Sequence, residues 1–137
     1  MCNDLNTLSP AVESPLDARF LLDQVGGNIE TARLVAEEFT NLAPIDQEQL
    51  EQWLDLEDLP SAGKLAFYLR GVYCVLGAMR LCALMADLEV ACNENNKTAA
   101  YEAYQKFREE IARCVDSVPA LIQQLYGRKR STWLVFP

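Results

Sequence analysis

Apolar residues recur along this chain at intervals of three and four, the period of an α-helix, and nowhere alternate as a strand requires. The first stretch opens at Ser14-Pro15. Ser14 is placed to cap a helix with Pro15 in its first position, Asp17 in its first turn, and Leu16, Phe20, Leu21 and Leu22 as apolar surface. Gly26-Gly27 ends it, and Asn28 is a suitable cap for a long second helix. There Val35, Phe39, Leu42, Leu50 and Trp53 recur at helical intervals until Pro60, with Pro44 a point of bending. Ser61 is expected to cap a third helix. In it Leu65, Leu69, Val72, Leu76, Met79, Ala83, Ala86 and Val90 advance by alternating steps of four and three, which predicts one continuous apolar stripe. After a polar turn over Asn93 to Asn96, the spacing returns through Ala100, Tyr104, Phe107, Ile111, Cys114, Val118 and Leu125, a fourth helix with a kink expected at Pro119.

Every helix so read carries a stripe that must be buried against another. The expected fold is therefore all-α: an antiparallel four-helix bundle with a short N-terminal helix. At 137 residues the chain accommodates one such core. Residues 1–13 read as an extended lead and 14–126 as the bundle. Gly127 ends the periodicity, and 127–137 form an extended tail in which Arg128-Lys129-Arg130 precede the apolar Trp133-Leu134-Val135-Phe136. Two readings of the tail stand at this level. It folds into a groove of its own bundle, or it docks on a partner or a second copy, making a homo-oligomer.

Composition narrows the function. Twelve basic against twenty acidic residues leave a net charge of −8, which repels phosphate backbones and anionic headgroups, so neither nucleic acid nor a membrane surface is an expected partner. Histidine is absent, which removes the usual near-neutral acid/base group, the commonest metal ligand and any phosphohistidine chemistry. The five cysteines, Cys2, Cys74, Cys82, Cys92 and Cys114, include no C-x-x-C pair and are odd in number, so reduced, mostly buried thiols are expected rather than a disulfide framework or a zinc site. No apolar leader occupies the first residues and no run of apolar residues is long enough to span a bilayer, so a cytoplasmic protein is expected.

Carboxylates are plentiful between Arg33 and Lys64, but Glu37, Glu48, Glu51, Asp55 and Asp58 fall opposite the apolar side of the second helix and read as its solvated face. A di-iron bundle needs inward Glu-x-x-His motifs, Ser or Cys attack needs a base, and Gly26-Gly27 lacks the Lys-Ser/Thr of a phosphate loop. No enzyme, metal or cofactor is expected. The third helix is different. Opposite its apolar stripe stand Gly63, Lys64, Phe67, Arg70, Gly71, Cys74 and Ala78, a phenylalanine among small residues and cations where a solvated helix is ordinarily polar. Glycine at 71 costs about 1 kcal/mol of helix propensity relative to alanine, which asks for a reason such as close approach of another surface.

At these residues the sequence resembles the histidine-containing phosphotransfer (HPt) family. Its pattern A-H-x-L-K-G, then G-A-x-x-L, then L-x-x-x-L-E, is matched by Ala66, Leu69, Gly71, Gly77, Ala78, Leu81, Leu84, Leu88 and Glu89, with Arg70 in place of Lys. Gly26-Gly27-Asn28 and Phe39 sit where such domains often begin their second helix, so the likeness covers roughly residues 16 to 125. The phosphoacceptor histidine is replaced by Phe67, whose ring has no lone pair with which to attack an aspartyl phosphate. The resemblance implies a degenerate HPt-like module. Lys64, Phe67, Arg70, Gly71 and Cys74 would form a docking face for a response-regulator receiver domain or a sensor histidine kinase, and the module would modulate a phosphorelay without carrying phosphate. Val72 and Tyr73 stand where small residues are common in the family and are expected to add bulk to that face. The alternative expectation is a structural or assembly module acting through oligomerisation or scaffold contacts, because fold alone does not set function.

Overall fold

The computed structural model describes residues 14–135, with side chains through 127. The lead at 1–13, with Cys2, and the final residues 136–137 lie outside the described residues. The described chain is five helices with no strand: α1 (Ala18–Gln24), α2 (Ile29–Asp55), α3 (Leu59–Val75), α4 (Met79–Asn93) and α5 (Lys97–Val135). Their packing is that of a helical bundle around one apolar core.

Capping side chains start four of the five helices. Asp17 accepts from the Phe20 amide at 3.0 Å, Asn28 from Thr31 at 2.9 Å, Asp58 from Ser61 at 3.1 Å and Asn96 from Ala99 at 3.0 Å. Two of the expected starts move. Ser14 only closes a bend, accepting from the Leu16 amide at 3.4 Å, because Leu16 drops into the core and the Asp17 amide is tied to the Leu76 carbonyl at 3.2 Å. Ser61 gives way to Asp58, whose carboxylate takes both the Ser61 amide and its hydroxyl; Pro60 thus falls in the first turn of α3, where its missing N–H costs nothing. Pro44 and Pro119 both lie within helices without ending them.

The continuous third helix is replaced by two. Its apolar steps run straight across Leu76 and Met79, yet Gly77 takes a left-handed φ of +67° and the Ala78 amide bonds back to the Tyr73 carbonyl at 3.2 Å. A Cβ on Gly77 would also lie 2.6 Å from that of Asp17, so the turn admits no side chain. Past the break the predicted stripe fails: Met79, Ala83 and Val90 are exposed, while Leu81, Leu84, Met85 and Leu88 are buried. From this turn α4 folds back along α3. Gly63 meets Cys92, Arg70 meets Glu89 and Cys74 meets Cys82, so residue numbers rise on one helix as they fall on the other.

In α2 the row facing the core is Ala32, Ala36, Phe39, Ala43, Leu50 and Leu54, whereas Leu42, expected inside, is 37% exposed. Small residues allow close helix approach, and the larger apolar side chains had pulled the expected face to one side. The whole expected stripe of α5 from Ala100 to Leu125 is buried. Three tyrosines fasten α5 to α2: Tyr101 donates to the Leu54 carbonyl at 2.8 Å, Tyr104 to the Gln47 carbonyl at 3.2 Å and Tyr126 to the Glu30 carboxylate at 2.6 Å. The extended tail expected after Gly127 is corrected as well. The backbone of α5 passes through Gly127 as helix to Val135, since a glycine lowers helix propensity without forbidding it.

Candidate docking surface on the third helix

Residues 64, 67, 70, 71 and 74 are three or four apart and so share one side of α3. Phe67 is 57% exposed. The Arg70 guanidinium lies 5.2 Å from its ring centroid and, from the other side, 3.6 Å from the Glu89 carboxylate of α4. A cation over an exposed ring contributes about 0.5–1 kcal/mol and a surface ion pair about 0–1 kcal/mol. These contacts orient the ring and the cation more than they stabilise the fold. Below them Lys64 and Phe67 join Pro60, Gly63, Glu89 and Asn93 around a shallow cleft of about 400 Å³.

Glycine on this helix has two meanings. Gly63 is buried, and a Cβ there would stand 3.1 Å from the Cys92 Cβ, so close approach of α4 accounts for it. Gly71 is exposed, its φ is not left-handed, and a Cβ there would meet nothing within 4 Å. Nothing among the described residues requires glycine at 71, one residue from the Arg70–Phe67 pair.

The five expected site residues are not equivalent. Lys64, Phe67 and Gly71 are open to solvent and Arg70 is half-buried between ring and carboxylate. Cys74 is half-buried and turned toward α4, its Sγ 2.8 Å from that of Cys82. Tyr73, expected to bulk out this face, is fully buried, and Val72 is partly buried against the core. Their side chains point into the bundle and leave the face free. Two residues join the site that the sequence reading did not assign to it. Tyr68, next to Phe67, is 65% exposed, the signal having been only its place off the buried stripe. Glu89 comes from α4; along one continuous helix it would stand ~28 Å from Arg70, and only the turn at Gly77 brings the two together.

No three Cys, Asp or Glu side chains among the described residues converge to hold a metal ion. The acidic side of α2 is mostly solvated as expected, with Glu48, Glu51 and Asp55 exposed, although Asp58 is occupied as a cap and Glu37 takes Arg33 at 2.9 Å. Glu110 is the one buried charged residue among those described, and Arg80 at 3.3 Å and Arg113 at 3.2 Å compensate it. Among the described residues no helix is long and apolar enough to cross a membrane. Comparison with family models, with curated proteins and with solved structures gave no match to this chain.

Proposed function

We propose that this chain is a cytoplasmic, HPt-like signalling module without phosphotransfer, which binds a receiver domain or a sensor histidine kinase through the Phe67 face of α3 and alters signalling by occupancy. The observation that carries the reading is an exposed aromatic ring at the position of the family's acceptor histidine, held by Arg70 beside a glycine that no contact among the described residues requires. An exposed ring costs free energy in water, and covering an aromatic contributes about 1.5–3 kcal/mol to an interface. The absence of a side chain at Gly71 lets a partner backbone come close to it. In support of an antiparallel HPt-like bundle, the α2–α5 tyrosine contacts pair 54 with 101, 47 with 104 and 30 with 126, and Gly77-Ala78 of the family pattern form the α3–α4 turn.

The test is titration of labelled receiver and kinase domains, taken from two-component systems of the same genome, with wild type, Phe67→Ala and Arg70→Ala. Phe67→Ala is expected to weaken binding about tenfold or more, as loss of a central aromatic anchor does. Unchanged affinity in both variants would place the interface elsewhere.

A second reading, assembly through the end of α5, has its own observation. Tyr126 is level with Glu30 in the first turn of α2, and α5 continues from there to Val135. Truncation after Gly127 followed by a solution mass measurement separates the two: a lost oligomer supports assembly, and an unchanged monomer that still binds its receiver supports the first reading.

A further inference from the structure

Four described cysteines are free, and three of them, Cys82, Cys92 and Cys114, are buried as small apolar side chains commonly are. One pair is arranged differently. The turn over Leu76, Gly77 and Ala78 sets the last turn of α3 on the first turn of α4, so that Cys74 Sγ lies 2.8 Å from Cys82 Sγ. The Cys82 thiol also reaches the Arg70 carbonyl at 3.5 Å, and either sulfur can donate to the other. A disulfide has an S–S bond of about 2.05 Å, so the two sulfurs need close by less than ~1 Å. Packing alone does not ask for two sulfurs in contact where two alkyl groups would fill the space.

We propose that Cys74 and Cys82 are a redox pair, in which a peroxide oxidises Cys74 and Cys82 then closes a disulfide joining the end of α3 to the start of α4. Access sets the order. Cys74 is half-buried and meets a dissolved oxidant first, whereas Cys82 is buried. Burial also pushes the Cys82 thiol up to about 12, which makes it the weaker candidate for first nucleophile. In the first step the Cys74 thiolate attacks one peroxide oxygen, the O–O bond breaks, and hydroxide departs and is protonated to water. Cys74 is then a sulfenic acid. In the second step the Cys82 sulfur attacks Cys74 Sγ, the S–O bond breaks, and hydroxide leaves as water with the Cys82 proton. In sum, two thiols and one hydrogen peroxide become one disulfide and two waters. The reaction needs no signalling partner and holds whether or not the Phe67 face docks one.

The full chain, reduced and then freed of reductant, is treated while folded with hydrogen peroxide, quenched, unfolded in the presence of an alkylating agent and digested with trypsin. Arg70, Arg80 and Lys97 place Cys74 in the peptide 71–80 and Cys82 in 81–97, so the disulfide joins two peptides. The expected product is that joined pair, two hydrogens lighter than the sum and separated again by dithiothreitol. Because Cys92 shares the second peptide, the same product is expected in Cys92→Ser. In Cys82→Ser the link is expected to vanish and the Cys74 sulfenic acid to be captured by dimedone. Recovery of 71–80 unlinked and alkylated from oxidised wild type, or of the same link in Cys82→Ser, would overturn the proposal.

Discussion

Phe67 and Tyr73, two of the three aromatic side chains of helix α3, stand six positions apart and meet opposite surroundings. Tyr73 is fully buried, edge-on to Phe39 with ring centroids 5.9 Å apart and tilted against Phe107 at 6.2 Å, and its hydroxyl donates to Asp46 at 3.3 Å. Phe67 is more than half exposed, with Arg70 over its ring and a shallow cleft beside it. Both belong to one regular helix, so neither backbone nor hydrophobicity separates them. What separates them is whether another helix stands opposite. Rings from α2, α3 and α5 interlock around Tyr73, while beside Phe67 the neighbouring glycine leaves open space. One aromatic holds the fold together and the other leaves it incomplete, which is why the second is the candidate for recognition.

Removing the inner ring is the strongest way to break this contrast. Tyr73→Ala is expected to cost about 3–5 kcal/mol in urea unfolding, the range for emptying a core aromatic position. Phe67→Ala should stay within about 0.5 kcal/mol of wild type. Equal losses would refute the division of roles. The turn that builds the site comes next. Gly77→Ala forces a side chain into a left-handed φ and against Asp17, with an expected loss of about 1–3 kcal/mol and a weakened Arg70–Glu89 pairing.

Alkali then distinguishes the two rings by titration. Burial first, and the adjacent Asp46 carboxylate second, hold the Tyr73 hydroxyl well above the ordinary tyrosine value of 10. Its raised folded-state pKa means that its contribution to stability is intact below pH ~10 and is lost as the pH climbs, by up to about 1.4 kcal/mol per pH unit. Tyr73→Phe should flatten that part of a stability–pH curve, whereas Phe67→Ala should leave it unchanged. The smallest effect is of opposite sign. Gly71→Ala is expected to stabilise the chain by up to about 1 kcal/mol, because the open position admits a methyl group, and to weaken the docking of a partner. Greater stability with undiminished binding would show that Gly71 does not serve the interface.

Much of the fold is legible along the chain because helical periodicity, caps and breakers are local. The stripe from Ala100 to Leu125, the stop at Gly26-Gly27 and the cap at Asn28 all stand where spacing and residue chemistry put them. The common side of Lys64, Phe67, Arg70 and Gly71 follows in the same way from steps of three and four. The missed features share a cause. A run of apolar steps continued by coincidence through Gly77, so one helix was expected where a hairpin forms, and Glu89 stayed out of reach of Arg70 until that turn closed. In α2 the largest apolar side chains point the expected face to one side, whereas the buried Ala32, Ala36 and Ala43 are what let the neighbouring helices come near.

By itself, then, the amino-acid order determined that this is a chain of amphipathic helices, where most of them begin, and that Phe67 shares one side of its helix with Lys64, Arg70 and Gly71. Only the tertiary structure decided that Tyr73 lies inside and Phe67 outside, that Glu89 crosses from α4 to face Arg70, and that Cys74 touches Cys82. The reason is physical: a helix presents every side chain to its surroundings in the same way, and burial, pairing and contact depend on what the rest of the chain brings against it.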